Sequence, residues 1–407
     1  MRRNRSLLGV VAAELVSLTG TAMTFVALPW FVLATTGSTA KMGWVLAAEM
    51  LPMALFGIPA GSLIARLGAK RTMLLCDGAR APLMLVIPIL HATGQLSFAA
   101  LLGATFAVGA FAAPYFGSSR TIVPEVVGDD ERAVAEVGAV LTGGNQVAQI
   151  VGPVLAGVLI AASSPPAVLV VDACTYAFSF LAIAVVVRAG RRVEQTERSR
   201  GVLAGVRFIR RDALLGPLVI AACVINLVAN GIVIGVQGLA YYRYGASAHV
   251  LGFLFGGFGA GALLGAIAAQ QLAQRSDLLR LSTVGIVAMP LPLFLLALHL
   301  PWAAAMVVTG AFAFFTPLVN APLLAILTVR TPVELRGKVL TAVMTVATMA
   351  GPFGFLGAGL LLHHVTLTAF FLVLPALLAL AGVGFAGVLL RNGAAPDVVA
   401  VPDVAHG

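Results

Sequence analysis

The chain has 407 residues, of which 60% are hydrophobic and 10% are charged, and its mean hydropathy is +1.02. These values exclude a soluble globular domain, in which about a quarter of the residues are charged. The formal net charge of +9 would suggest nucleic-acid binding in a soluble protein. In a membrane protein it follows from basic loops beside anionic lipid, so we predict membrane lipids and no nucleic acid as partners.

Apolar segments follow one another along the chain, most of them near the roughly 20 residues that cross a bilayer. Twelve such segments lie near residues 7–34, 43–64, 73–92, 96–117, 136–161, 167–187, 215–240, 248–272, 281–299, 302–328, 340–362 and 367–390. The predicted fold class is therefore an all-α integral membrane protein with twelve transmembrane helices.

The longest hydrophilic stretch divides these spans six and six, which predicts two six-helix bundles. The predicted divisions are an N-terminal bundle at 1–187, a cytoplasmic linker at 188–212, a C-terminal bundle at 213–391 and a tail without fixed structure at 392–407. A weak repeat supports two related halves, because two glycine patterns recur about 200 residues later. The pairs are Gly57-x3-Gly61 with Gly261-x3-Gly265, and Gly152-Pro153 with Gly351-Pro352.

The basic residues predict the orientation of the chain in the membrane. The chain has 25 Lys and Arg residues, and all but Lys41 and Arg243 lie at the chain ends, in alternate gaps between spans or, for Arg80, just inside the third span. By the positive-inside rule these gaps and both termini are cytoplasmic. The excess of Arg over Lys is typical of a GC-rich genome, so we expect a multi-pass protein of a bacterial inner membrane.

An acidic residue deep in the first span is the sharpest candidate for function. Glu14 lies about nine residues inside span one, roughly 13 Å along a helix, and shares a helix face with Ser17 and Thr21. A buried carboxyl favours its neutral form and can load and release protons, so we predict proton coupling or substrate contact. The alternative is a static hydrogen-bonded acid. Glu49 is a second candidate, with an acid tilted into the outer vestibule or interface as the alternative. A structural role is expected for Asp172.

Polar residues share a helix face in three further spans, and we predict that they line a substrate cavity. They are Thr142, Asn145 and Gln149 in span five, Asn226, Asn230 and Gln237 in span seven, and Thr341 and Thr345 in span eleven. Such stripes can instead hydrogen-bond neighbouring helices. Their occurrence in both halves favours a shared cavity.

Asp77 and Arg80 are spaced one helical turn apart near the basic end of span three, which predicts a local ion pair. We assign them to a charge network at the cytoplasmic gate. No phosphate-binding loop, Ser/His/Asp arrangement or metal-ligand cluster is present in the sequence, so we predict no cofactor, no metal and no enzyme activity.

The loop between spans two and three resembles the G-x-x-x-D-R-x-G-R-R signature of the major facilitator superfamily, and the resemblance extends over essentially the whole chain. The matching residues are Gly61, Arg66, Gly68 and Lys70, followed by Arg71. The resemblance implies that they belong to the cytoplasmic gate. Ala65 replaces the signature acid and Ala69 an arginine, so the usual latch of that gate is altered.

A second motif, in span five, resembles the G-P-x-x-G-G sequence of antiporters in the same superfamily. Its residues are Gly152, Pro153 and Gly157, with Ala156 in place of a glycine. The order of Glu14, Ser17, Asp77, Arg80 and Asp172 is also similar to a branch of drug:proton antiporters that includes macrolide-efflux and siderophore exporters. The resemblance implies export.

These observations together predict a monomeric, proton-coupled secondary transporter that exports a small amphipathic compound, such as an antibiotic or a secreted metabolite. Multidrug resistance by efflux is the expected physiological outcome. One alternative is an uptake symporter or facilitator of the same fold. Another is a membrane partner or sensor that transports nothing.

Overall fold

A computed structural model describes residues 5–127, 130–187, 209, 215–275 and 277–392, and every regular element among them is helical. Apart from Ile209, the predicted linker lies outside the described residues, as does the predicted tail beyond Asn392. The residue bounds of these two segments therefore stay predictions.

Six helices form the N-terminal half. They are α1 (Arg5–Thr36), α2 (Thr39–Leu67), α3 (Ala69–Ala92), α4 (Phe98–Val127), α5 (Glu131–Ala162) and α6 (Pro165–Val186). The C-terminal half contains α7 (Leu215–Gly238), extended by a π-helical turn (Leu239–Arg243), then α8 (Ala248–Ala273), α9 (Leu278–Ala288), α10 (Leu291–Leu295), α11 (Trp302–Arg330), α12 (Val333–His364) and α13 (Leu367–Asn392).

The predicted spans all correspond to these helices. Among the described residues, ten helices are individually long and apolar enough to cross a membrane. Helix α2 is an eleventh, bent by 66° between Thr39–Gly57 and Pro59–Leu67, because Pro59 lacks a backbone N–H and crowds the preceding turn. The ninth predicted span is the shorter pair α9 and α10. Among the described residues, eleven of the twelve predicted spans thus have the length and hydropathy of a membrane crossing.

The two halves repeat one pattern of helix packing. In the N-terminal half α1 packs on α5 and α6, α4 packs on α2 and α3, and α3 packs on α6. In the C-terminal half α7 packs on α12 and α13, α11 packs on α8 and α9, and α9 packs on α13. Because α7 to α13 occupy the places of spans seven to twelve, each contact has its equivalent in the other half.

The glycine patterns of the repeat differ in what they do. Gly152 packs against Ala22 of α1, and its equivalent Gly351 packs against Asn230 of α7, so this pair holds the same position in each half. Gly261 lies against the backbone of Gly310 in α11, whereas a Cβ atom at its equivalent Gly57 would meet no described atom within 4 Å. The pattern that pairs Gly57 with Gly261 is therefore repeated in the sequence, but the two glycines do not make equivalent packing contacts.

The halves meet toward one end of the helices. We call the end marked by Arg66 and Lys70 the basic end, and the end marked by Gly37 and Tyr242 the opposite end. Between the halves, α2 packs on α12 and α5 packs on α8. From mid-helix to the opposite end, backbones approach closely at two glycine pairs, Gly43 with Gly359 and Gly157 with Gly252. Two aromatic pairs also join the halves: the ring centres of Phe25 and Phe355 are 5.8 Å apart, and those of Trp30 and Tyr241 are 6.0 Å apart. The Tyr242 hydroxyl donates to the Gly37 carbonyl at 3.1 Å. The structure is therefore closed at the opposite end.

Candidate functional site

A cavity of about 510 Å³ lies between α1, α4 and α5, in the part of the N-terminal half nearer the basic end. We call it the α1–α4–α5 cavity. Its walls are formed by Glu14, Leu18, Phe116, Ser119, Arg120, Val123, Val134, Gly138, Leu141, Thr142, Asn145 and Gln146. This volume lies within the range of about 300–1,000 Å³ that is common for small-molecule sites.

The lining combines apolar and polar side chains because each helix presents one face to the cavity. On α4, Phe116, Ser119, Arg120 and Val123 recur at helical spacing. The Arg120 guanidinium lies 4.4 Å from the centre of the Phe116 ring, a cation–π contact that holds both side chains at the wall. Such a mixed surface suits an amphipathic ligand.

Glu14 forms the part of the wall contributed by α1. The residue is only 5% exposed, and its buried Oε2 atom has no hydrogen-bond partner among the described residues. Its carboxyl group faces the side chains of Tyr115 and Ser119. A carboxylate buried in this way is expensive to keep ionised, so Glu14 can hold a proton at the edge of a ligand-sized cavity.

Behind Glu14 the structure confirms the predicted ion pair. Arg80 Nη2 lies 2.5 Å from Asp77 Oδ1, and both side chains are buried. The guanidinium is held between two aromatic rings, 4.1 Å from the centre of the Tyr115 ring and 4.4 Å from that of Tyr176. This geometry fixes Arg80 in the core of the N-terminal half.

Ser17 and Thr21 lie in the same core. Ser17 is buried, and the Thr21 hydroxyl is 3.0 Å from the Tyr176 hydroxyl of α6. The predicted polar face of α1 therefore packs on α6 beyond Glu14. A role for these two residues in lining the substrate cavity stays a prediction.

The three polar stripes are not brought together in the α1–α4–α5 cavity. Thr142 and Asn145 line it, and Gln149 is exposed on α5. In α7, Asn226 Nδ2 donates to the Ala222 carbonyl at 2.9 Å and Asn230 Nδ2 donates to the Asn226 carbonyl at 2.7 Å. These amides thus bond their own helix.

The remaining predicted cavity residues lie apart from this site. Gln237 is fully buried near the opposite end, and both polar atoms of its amide lack a hydrogen-bond partner. Thr345 is exposed on α12, whereas the side chain of Thr341 lies outside the described part of the chain. A cavity shared between the halves stays a prediction.

The residues of the loop signature have distinct local roles. Gly68 joins α2 to α3 with φ +81° and ψ 158°, a conformation that is essentially restricted to glycine. Lys70 Nζ donates to the Val187 carbonyl at 2.5 Å and to the Ala184 carbonyl at 3.3 Å, which caps the end of α6.

Other residues of this signature face outward, so their assignment to a gate stays a prediction. Arg66 and Arg71 are exposed, and a Cβ atom at Gly61 would meet no described atom within 4 Å. A gate joins the two halves at the basic end, and the halves meet toward the opposite end in this structure.

The span-five motif lies at two helix contacts. Gly152 allows α5 to approach α1 at Ala22, and Gly157 contacts Gly252 of α8 across the two halves. Pro153, between them, is buried within α5. The motif therefore couples packing inside one half to the contact between the halves.

Nine of the twelve lining residues were not predicted from the sequence, and four of them have aromatic or polar side chains: Phe116, Ser119, Arg120 and Gln146. Arg120 was counted as a loop residue because its charge marked a boundary, although α4 continues to Val127. The helical spacing of Phe116, Ser119 and Arg120 was the signal that could have revealed a fourth lining face.

The family assignment follows from comparison with known proteins. Residues 10–242, more than half of the chain, match the family model described as Major Facilitator Superfamily. The chain belongs to the major facilitator superfamily. It is accordingly a multi-pass membrane transporter by family.

One relative is similar to this superfamily member over nearly its whole length. It is 28% identical over 389 residues to the multidrug efflux pump Tap of Mycolicibacterium fortuitum, covering 93% of this chain and 94% of that protein. Among solved structures, a variant of the nucleoside transporter NupG has a TM-score of 0.80 at 12% identity, with 94% of this chain and 99% of that one covered.

A second solved structure shows the same fold. A bacterial homologue of the human lysosomal transporter Spinster, in an inward-facing and unoccupied conformation, has a TM-score of 0.69 at 14% identity, with 96% of each chain covered. These likenesses confirm the predicted major facilitator fold.

Proposed function

We propose that this transporter exports a small amphipathic compound, such as an antibiotic or a secreted metabolite, in exchange for protons across a bacterial inner membrane. The carrying observation is Glu14, a buried carboxyl with an unpartnered oxygen at the wall of a ligand-sized cavity. Its position allows one residue to respond both to ligand and to proton. The similarity to a protein named multidrug efflux pump supports export.

Alternating access supplies the transport step. With both termini in the cytoplasm, the basic end faces the cytoplasm, and the present conformation, closed at the opposite end, is the one that receives substrate from inside. Protonation of Glu14 removes a charge from the cavity wall and weakens its hold on a cationic ligand. Export then couples proton entry to substrate release.

The test begins by finding a ligand, because a panel of amphipathic drugs can be scored by thermal stabilisation of the purified protein. The best ligand is then followed in proteoliposomes with an imposed proton gradient. We expect Glu14→Gln to bind the ligand with weakened pH dependence and to fail to accumulate it when the proton gradient is imposed. Exchange of labelled for unlabelled ligand without a proton gradient should be retained. Gln keeps the shape of Glu but cannot ionise.

Glu136→Gln is the matched control, because Glu136 is an exposed carboxyl of α5 outside the cavity lining. It should transport as the wild type does. Wild-type accumulation by Glu14→Gln would remove Glu14 from coupling and make Glu49 the next residue to replace. Accumulation in the direction of proton flow would identify an uptake symporter, and no transport of any stabilising ligand would favour a partner or sensor.

A further inference from the structure

Two of the twelve residues that line the α1–α4–α5 cavity are charged, and their charges are opposite: Glu14 on α1 and Arg120 on α4. No ion pair joins them to each other or to another described residue. The Glu14 Oε2 atom also has no hydrogen-bond partner in the described part of the chain. One cavity thus presents an acid and a cation that are both available to a bound molecule.

Arg120 lies within α4 and not in the loop that follows this helix. The helix continues for seven residues beyond it, to Val127, which is roughly 10 Å at 1.5 Å per residue. The preceding residue, Ser119, is buried and faces the Glu14 carboxyl, so the acid and the guanidinium lie at a similar depth. Cations held inside a membrane helix usually face a polar path and mark a ligand site.

The Phe116 ring holds the Arg120 side chain in place without using its hydrogen-bond donors. The guanidinium lies over this ring, 4.4 Å from its centre. A guanidinium packed on a ring keeps the N–H groups at its edge free, because these groups lie in its plane. No hydrogen bond to another described residue occupies them. Two parallel N–H groups match the two oxygens of a carboxylate, so Arg120 is preorganised to bind an anionic group.

The two charges together restrict which ligands fit the cavity well. A purely cationic ligand would contact Glu14 but leave the guanidinium desolvated and unpaired, and a purely anionic ligand would do the reverse. Either mismatch costs binding free energy. The apolar lining, which includes Leu18, Val123 and Leu141, covers an uncharged body, and the volume of about 510 Å³ suits a drug-sized compound. A ligand with both charges on an apolar body satisfies every part of this wall.

We propose that the exported compound is an amphipathic zwitterion, whose cationic group contacts Glu14 and whose anionic group, a carboxylate or a group of similar shape, is bound by Arg120. This inference rests on the proposed function and names its class of substrate. An arginine is not deprotonated in proteins, so the contact with Arg120 selects the substrate. The contact with Glu14 is the one that changes when a proton binds.

The test compares matched probes on two scaffolds, the dipeptide Trp-Phe and an aminomethyl biphenyl carboxylic acid, each as the zwitterion and as its cationic methyl ester. Affinity is measured by calorimetry on the purified protein in phosphatidylglycerol nanodiscs. We expect each zwitterion to bind about tenfold more tightly than its ester, because the ester lacks the charge that Arg120 binds. Arg120→Gln should lose this preference and still bind the esters, which shows that its cavity is intact.

Arg132→Gln is the matched control, because Arg132 is exposed on α5 outside the cavity lining, and it should keep the preference. Esters that bind as tightly as the zwitterions, a preference that survives in Arg120→Gln, or no binding of either zwitterion would overturn the proposal.

Two further measurements separate the alternatives. Phosphatidylethanolamine carries the same two charges, so competition by this lipid, when it is added to the nanodiscs, would assign the site to a lipid headgroup and overturn the proposal. Proteoliposomes that show no proton-driven flux, while the preference for zwitterions persists, would reject the proposed function alone. Proton-driven export of the methyl esters that is unchanged in Arg120→Gln would reject this inference alone.

Discussion

At the scale of single residues, the environment of Arg80 shows how this chain keeps charge inside a membrane. The guanidinium meets a carboxylate at its edge and two aromatic rings at its faces. Planar delocalised charge suits both kinds of contact, which a lysine ammonium cannot make together. Arg80 therefore joins α3, α4 and α6 through one ion pair and two cation–π contacts.

Replacing Arg80 should therefore lower the free energy of unfolding, because it leaves a buried acid without its cation. Arg80→Met leaves Asp77 without its cation, and we expect the free energy of unfolding to fall by about 3–5 kcal/mol. The double variant Asp77→Asn/Arg80→Met should recover most of this loss. Chemical unfolding in detergent micelles, followed by tryptophan fluorescence, measures both.

Arg120→Met is the matched control, because Arg120 is exposed at the cavity and stacks on a single ring. It should change the free energy of unfolding much less. Equal destabilisation in the single and double variants would show that packing of Arg80, and not its charge, matters.

At the scale of helices, glycines decide which helices approach each other. Along α8, Gly257 and Gly261 let α11 approach closely, while Gly252 and Gly259 face α5. Gly43 of α2 and Gly359 of α12 make the equivalent contact between the halves. Close approach at small residues is the usual means of packing helices in lipid, where no hydrophobic force draws them together.

A larger residue at the contact between α2 and α12 should open the opposite end. A Cβ atom at Gly43 would lie 2.6 Å from the Phe355 carbonyl oxygen and 3.2 Å from the Gly359 Cα, so Gly43→Leu cannot be accommodated in this conformation. We expect it to shift the equilibrium toward the conformation closed at the basic end. Distances between spin labels on α2 and α12 at the opposite end would increase.

Gly103→Leu is the control for this change, because a Cβ atom at Gly103 would meet nothing within 4 Å. The label distances should then stay as in the wild type. An unchanged distance distribution in Gly43→Leu would mean that the helices slide past the added side chain and that this glycine does not set the conformation.

At the scale of the whole molecule, the distribution of charge and the contact between the halves give the two ends different properties. The basic end carries Arg66, Lys70 and Arg71, and the opposite end is where the halves meet. If the basic end is cytoplasmic, as the positive-inside rule predicts, the conformation described is closed on the outside.

Thiol labelling of intact cells measures this orientation directly. In a variant without the native Cys76, Cys174 and Cys223, a cysteine at Ala246 should react with an impermeant thiol reagent added outside, whereas one at Ala65 should react only after the cells are permeabilised. Both alanines are exposed, so access to the reagent depends on the side of the membrane. The reverse pattern would invert the orientation and with it the proposed direction of transport.

Much of the fold could be predicted from sequence because a membrane imposes strong local rules. Length, hydropathy and the placement of basic residues each act segment by segment, and they predicted the spans and the division into halves. The family was indicated by the resemblance of two short motifs. The Asp77–Arg80 pair was predictable for the same reason, since its partners are one turn apart on one helix.

The tertiary structure decided which polar residues share a site. Phe116 and Arg120 line a cavity with Glu14 because α4 and α5 converge on α1, and nothing in the local sequence encodes that convergence. Arg243, an exception to the charge rule, donates to the Leu296 and Leu298 carbonyls at 2.7 and 2.6 Å, which lie far along the chain. Local rules thus determined which segments span the membrane, and contacts between distant helices determined which side chains line the α1–α4–α5 cavity.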